Sequence, residues 1–380
     1  MTLRAAVLAV MASACAQPAP APSSLAPAAL GKLAFEDPLL SEPAGQACAD
    51  CHAATYSFRD PEADHSTSMG VIAGRFGSRN AQSAMYAAQV PPLHFDPIEQ
   101  QIAGGLFWDG RADSLEDQAG GPLLNALEMN NPDRASVVEK VRLSDYADGF
   151  RAAFGDDALD DVDGAYAHLT TALAAYERTP AFAPFDSKYD HVLAGTASLT
   201  ASEKRGLAIF EDPARGNCAS CHPSRPGVDG SPPMFTNFTY ANLGIPRYAN
   251  NLYFVQPAPL NPDGAAFRDR GLGHTLGDAA QDGKFRTPTL RNIARTAPYG
   301  HNGYFANLSY FLDFLNTRDI GSTTVGTCSR SPDAPAAICQ WPAPELANAS
   351  LDHRVGHLQL SQQDIDDLVA FLETLTDGSS

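Results

Sequence analysis

Two copies of the pattern C-x-x-C-H, at Cys48–His52 and Cys218–His222, constrain this chain more than any other feature. Each ties two thiols and an imidazole into five residues, so a fold containing it must turn all three side chains toward one partner. The approaches to the two copies also match. "LGKLAFEDPLLSEPAGQACADCH" and "RGLAIFEDPARGNCASCH" both run an apolar helical pattern into Phe-Glu-Asp-Pro, at 35–38 and 210–213. A Gly-containing turn and then the motif follow. Pro38 and Pro213 cannot continue a helix and mark where each one stops. An internal repeat of such long period predicts two related domains, and 380 residues are enough for two cores.

The fold class read from the pattern is mainly α with long loops. Thr200-Ala-Ser-Glu203 is a capping box opening a helix that carries Leu207 and Phe210 on one face. Near the end of the chain Ser361 caps a helix with Asp364 in its first turn. Its apolar stripe is Ile365, Leu368, Val369, Leu372 and Leu375, and Gly378 lies beyond it. Helical patterns also cover about 133–144 and 164–178, and no convincing alternating strands are visible. Long Gly/Pro/Asn-rich connections, 54–107 and 223–285, suit the wrapping of a large prosthetic group. The expected division is an N-terminal domain over 30–185 and a C-terminal domain over 186–380.

The start of the chain has the features of an export signal. Arg4 precedes the apolar run Ala5–Ala12 and small residues follow, so residues 1–16 form the expected signal. Two processing routes fit: cleavage at Ala14-Cys15-Ala16, or lipidation of Cys15 as a membrane anchor. The Pro/Ala-rich stretch 17–29 then serves as a tether. Both routes place the mature protein in the periplasm. Of the seven cysteines, four belong to the motifs; Cys328 and Cys339 can pair as a disulfide or remain free, and Cys15 is left over. A net charge of −18 argues against nucleic acid or an anionic membrane face as partner. It suits a soluble acidic surface or a basic redox partner.

C-x-x-C-H suits a c-type haem because two thiols at this spacing can form thioethers to the two vinyl groups. The adjacent His then falls beneath the ring and ligates iron. A zinc site would need both motifs at one ion and would leave the trailing histidines unexplained. Cys48, Cys51 and His52 are therefore expected to hold a first haem, and Cys218, Cys221 and His222 a second. The run 107–129, "FWDGRADSLEDQAGGPLLNALEM", is unusual on physical grounds alone. It concentrates Trp108, one of only two tryptophans, with charged residues and with Gln118, Pro122 and Glu128. Peroxide cleavage at haem needs an open iron face and a proton-transfer group, and a carboxylate in an apolar pocket has its pKa raised into a useful range.

With these motifs, and with "FTYANLGIPR" (238–247), "FRTPTLRNIARTAPYGHNG" (285–303), "NTRD" (316–319) and "QWPAPEL" (340–346), the chain resembles the bacterial di-haem cytochrome c peroxidase family, more closely its MauG-like branch. The resemblance covers about 30–377. It implies two cytochrome-c-like helical domains, each covalently binding one haem c. The first haem is then the site of peroxide reduction and the second the site of electron transfer. It implies that Trp108 relays electrons between them, and that Gln118, Pro122 and Glu128 line the peroxide face, with Glu128 as acid and base. It further implies Ca²⁺ between the domains, bound by the Asn80 side chain and the carbonyls of Thr296 and Pro298. Hydrogen peroxide is the implied substrate, and a small cytochrome c or cupredoxin the implied electron donor. A homodimer is left open. The competing readings are a MauG-like oxidase of a protein or organic substrate and a non-enzymatic electron-transfer cytochrome.

Three departures from the family pattern stand out. "GVIAGRFGS", before Asn80, lacks the loop histidine that caps the first haem in the peroxidase branch, which implies an open distal site. His65 and His94 are the only histidines in the wider loop. Leu315 stands where relatives ligate the second haem with Met or Tyr, and leucine has no donor atom. Tyr310, five residues earlier, lies off the face of Leu315 on an ideal helix; Met234, His274, His301, His353 and His357 are the other candidates, beside a five-coordinate or water-ligated second haem. Gly216 stands where MauG carries an exit tryptophan, which puts that protein's maturation activity in doubt for this chain.

Overall fold

The computed structural model describes residues 26–62, 66–321 and 341–378. The signal segment with Cys15, most of the tether, His65, Cys328 and Cys339 lie outside the described residues. Eleven α-helices carry the described chain. They are α1 (Pro27–Phe35), α2 (Cys48–Cys51), α3 (Leu115–Leu124), α4 (Arg134–Leu143), α5 (Ala147–Phe154) and α6 (Val162–Glu177), then α7 (Lys188–Leu193), α8 (Ala201–Glu211), α9 (Leu272–Leu276), α10 (Leu308–Thr317) and α11 (Gln362–Glu373). The expected absence of strands needs a small correction. Two antiparallel strand pairs occur, the hairpin β1 (His94–Asp96) with β2 (Gln101–Ala103), and β3 (Tyr240–Ala241) with the distant β4 (Phe285–Arg286). With two or three residues each, they are too short to show the alternation by which a strand is recognised.

The helix signals are realised in atomic detail. The Thr200 amide donates to Glu203 Oε2 at 2.7 Å while Thr200 Oγ1 accepts from the Glu203 amide at 3.3 Å. Ser361 and Asp364 make the same reciprocal pair at the start of α11. α1 and α8 end at Phe35 and Glu211, just before the two prolines.

Two large apolar cores form, one between Leu30 and Phe182 and the other between Tyr189 and Leu375, with a small third cluster of Leu106, Ala112, Leu115 and Ala174. In each, the helix that leads to a motif crosses the last helix of its own half: α1 packs on α6, and α8 on α11. The crossings are glycine contacts. A Cβ on Gly31 would overlap the carbonyl oxygen of Ala172, and one on Gly206 would overlap that of Asp367. Aromatic packing repeats as well. Phe35 meets Phe58 edge-on at 6.3 Å, and Phe210 meets Phe235 edge-on at 6.2 Å. Arg79 binds the halves together: it pairs with Asp109 at 2.7 Å and, through two hydrogen bonds of 2.6 and 2.8 Å, with Asp269.

Candidate functional site

The two motifs open onto one largely apolar cavity of about 460 Å³ whose walls come from both halves. Cys48, Cys51 and His52 line it from the first half of the chain, Cys218, Cys221 and His222 from the second. The histidines are held alike. His52 Nδ1 lies 3.1 Å from the carbonyl oxygen of Phe58, and His222 Nδ1 lies 2.7 Å from that of Phe235. A carbonyl only accepts, so Nδ1 carries the hydrogen and Nε2 keeps its lone pair for a metal. Phe58 and Phe235 both sit at positive φ, 51° and 50°, which aims those carbonyls back at the imidazoles. Burial lowers the His52 pKa and takes that of His222 down to about 4, so both rings are neutral. These two phenylalanines were not singled out from the sequence. They lie at unequal distances from their motifs, six residues after His52 and thirteen after His222, so no common spacing marks them.

None of the four motif cysteines is in a disulfide. Burial pushes Cys48, Cys51 and Cys218 up to about 12 and raises Cys221. A redox C-x-x-C works through a lowered thiol pKa, the opposite of this environment. Among the described residues no group of three His, Cys, Asp or Glu side chains is gathered to hold an ion. Paired thiols, a free Nε2 and an apolar cavity at each motif fit two covalently attached haem groups.

Gln118, Pro122 and Glu128 line the same cavity as Cys48, Cys51 and His52. Ser114 caps α3, which carries Gln118 and Pro122 one turn apart. Asn125 closes the following turn by accepting the Glu128 amide at 2.9 Å, and the Glu128 carbonyl accepts from Val71 at 2.9 Å. Burial raises the Glu128 pKa above the ordinary carboxylate value, with Asn125 and Arg111 pulling the other way. Trp108 also lines the cavity. Its Nε1 donates to the Asn80 carbonyl at 2.8 Å, and its own carbonyl accepts from the Arg286 amide at 2.9 Å. It is thereby anchored to both halves.

Asn80, Thr296 and Pro298 meet on the cavity wall. Asn80 Nδ2 lies 2.7 Å from the Pro298 carbonyl oxygen.

On α10, Leu315 faces the cavity together with Leu308, Phe311 and Leu312. Tyr310 does not, and packs on Tyr304, Phe305 and Trp341. Of the alternative donors, Met234 and His301 line the cavity, the latter stacked on Phe285 at 3.6 Å. His274, His353 and His357 are exposed outside it, and so is His94 on β1. A Cβ on Gly216 would overlap the Ile209 carbonyl oxygen, so no side chain fits this turn as it stands.

The fold and site define a c-type haem protein with two attachment motifs. The family model for di-haem cytochrome c peroxidase matches residues 26–198. Methylamine utilization protein MauG of Paracoccus denitrificans is 42% identical over 371 residues, covering 94% of this chain and 90% of that one. Cytochrome c peroxidase Ccp of Escherichia coli is 28% identical, covering 93% of this chain and 59% of that one. Among solved structures, the diheme peroxidase BthA of Burkholderia thailandensis superposes with a TM-score of 0.77 at 34% identity, covering 93% of this chain and 86% of its own. The chain belongs to the di-haem cytochrome c peroxidase family, and it is an oxidoreductase of that peroxidase class.

Proposed function

We propose that the chain reduces hydrogen peroxide to water in the pocket of the first motif, with electrons supplied through the second. The observation that carries this is that Glu128 lines the cavity, with Gln118, and that its charge is felt at both Cys48 and Cys51. Cys48 and Cys51 would attach the first haem and His52 Nε2 would ligate it; Cys218, Cys221 and His222 would do the same for the second. When bound, haem supplies the iron at which the O–O bond is cleaved and through which electrons pass. The protein supplies the proton chemistry. Glu128, kept protonatable by burial, takes a proton from the near oxygen of peroxide and returns it to the leaving one. The Gln118 amide orients the substrate, and the Pro122 ring keeps that wall apolar. Trp108 lies between the pockets as the electron relay. Overall, one peroxide, two electrons and two protons give two waters.

No loop histidine reaches the first pocket from 70–80, which supports an open distal site there. Leu315 leaves the second haem without a ligand from α10. Asn80, Thr296 and Pro298 form the calcium site of this reading. The donor is a small cytochrome or cupredoxin, and the mature protein acts in the periplasm; among the described residues no helix is long and apolar enough to cross a membrane. Peroxide-dependent oxidation of a protein or organic substrate is the second reading, favoured by the 42% identity to MauG, although Gly216 removes that protein's exit residue.

The test is steady-state peroxide consumption with a reduced donor, wild type against Glu128→Gln. Turnover in the wild type and its loss in the variant, with both haems attached, is the expected result. No turnover in the wild type would point to a plain electron-transfer cytochrome, and unchanged turnover in the variant would remove Glu128 from the mechanism.

A further inference from the structure

The internal repeat supplies its own reference for each pocket. Gly31 meets the backbone of Ala172 as Gly206 meets that of Asp367. This contact aligns α6 with α11: Ala172 with Asp367, Leu173 with Leu368, and Glu177 with Leu372. Leu173 and Leu368 both line the cavity, and Leu372 lines it one turn further on. Packing against the second motif is thus satisfied by leucine at this position. The first half carries Glu177 there instead.

Glu177 is 7% exposed and lines the cavity. Its carboxyl makes no hydrogen bond or ion pair among the described residues; the forces on it are burial, Arg178 and Glu116. Its charge is felt at Cys48, the first attachment thiol. Outward from it, Arg178 and Glu116 form a bidentate ion pair of 2.6 and 2.9 Å at the protein surface. The charged and titratable groups that face Glu177 are therefore Arg178 beside it, Glu116 from α3, and Cys48 from α2, which a thioether would remove from titration. A buried, unbonded carboxyl between a surface ion pair and the first pocket, in place of a leucine, has no packing rationale.

We propose that Glu177 is a second proton-holding residue of the first pocket, one that takes up a proton when an electron enters that pocket and releases it when the electron leaves. The inference rests on the reading of Cys48, Cys51 and His52 as haem ligands. The step balances: a one-electron donor is oxidised, the first haem gains one negative charge, and the Glu177 carboxylate binds one proton from solvent, so the pocket's net charge is unchanged. In a low-dielectric site the two events favour each other. Burial places the Glu177 pKa at about 7, within reach of such coupling.

The experiment is a spectroelectrochemical redox titration of the haem-loaded protein across about pH 6 to 8, around the Glu177 pKa. The two haems are followed by their own bands, and wild type is compared with Glu177→Gln and Glu177→Leu. The leucine variant installs the residue the second half already uses. In the wild type, the first haem's midpoint potential is expected to fall as pH rises. In both variants that fall is reduced, to the part that Glu128 retains, and the second haem is unaffected. The same slope in wild type and variants would overturn the proposal. The readout uses no peroxide, so failure of the peroxidase reading would appear separately, as absent turnover with the potential slope intact. Failure of the haem reading would appear as chains lacking covalently bound haem.

Discussion

A single carboxyl illustrates how one side chain sets the protein's response to pH. Glu177 has a folded-state pKa of about 7 against 4.5 for an ordinary glutamate, because burial penalises its charge. The folded state therefore binds its proton more tightly than the unfolded one. The stability this contributes is present below about pH 4.5 and is lost as pH rises through 7. Glu177→Gln does not titrate, so it should be more stable than wild type at alkaline pH by up to about 3 kcal/mol, with the difference shrinking in acid. Denaturant midpoints at acid and alkaline pH would measure this. Leu315 makes a second prediction at this scale. It offers the second haem no donor atom, and Tyr310, on the same helix, packs away from the cavity. EPR of the ferric protein should show Leu315→Met converting the second haem's signal to a six-coordinate low-spin form. An unchanged signal would show that the position does not reach iron. The charged link between halves gives a third. Arg79 holds Asp269 at a pKa of about 2, well below the usual carboxylate value. Arg79→Met would leave Asp269 buried without its partner, while Asp109 keeps Arg111 at 2.7 Å, at a cost of about 3–5 kcal/mol, visible in thermal unfolding.

Among the elements, the two glycine crossings decide the shape of each half. α1 and α8 approach α6 and α11 until backbones touch, which only glycine permits. Gly31→Ala and Gly206→Ala should each force their helices apart and cost about 1–3 kcal/mol or more. Absorption of each haem would report which pocket opened, with Gly31→Ala disturbing the first and Gly206→Ala the second. These helices were legible beforehand from the capping boxes at Thr200 and Ser361 and from the prolines after Phe-Glu-Asp. α3 was not read as a helix: its Gly-Gly-Pro end is a poor helical signal, and the Ser114 cap with packing on α6 overrides it. The two strand pairs were missed for a different reason, since strands of two or three residues carry no period.

For the whole molecule, Trp108 is the part that both halves hold. Its indole donates to Asn80, whose side chain meets Pro298, while its carbonyl accepts from Arg286. Trp108→Phe should retain both haems and lose peroxide turnover through slower electron transfer between pockets, measurable by stopped-flow reduction. The attachment residues Cys48, Cys51, His52, Cys218, Cys221 and His222 were legible from sequence because covalent chemistry fixes their spacing within five residues. Glu128, Gln118 and Trp108 were legible only through resemblance to a family, since an isolated carboxylate or indole has no spacing to betray it. The sequence by itself determined the repeat, the helical class and the two attachment motifs, all of them local properties of the chain. Only the tertiary structure decided that the motifs share one cavity, that Phe58 and Phe235 fix the histidines, and that Glu177 rather than a leucine faces the first pocket. Those facts depend on contacts between residues far apart in the chain, and the close packing that creates them leaves no periodic trace in sequence.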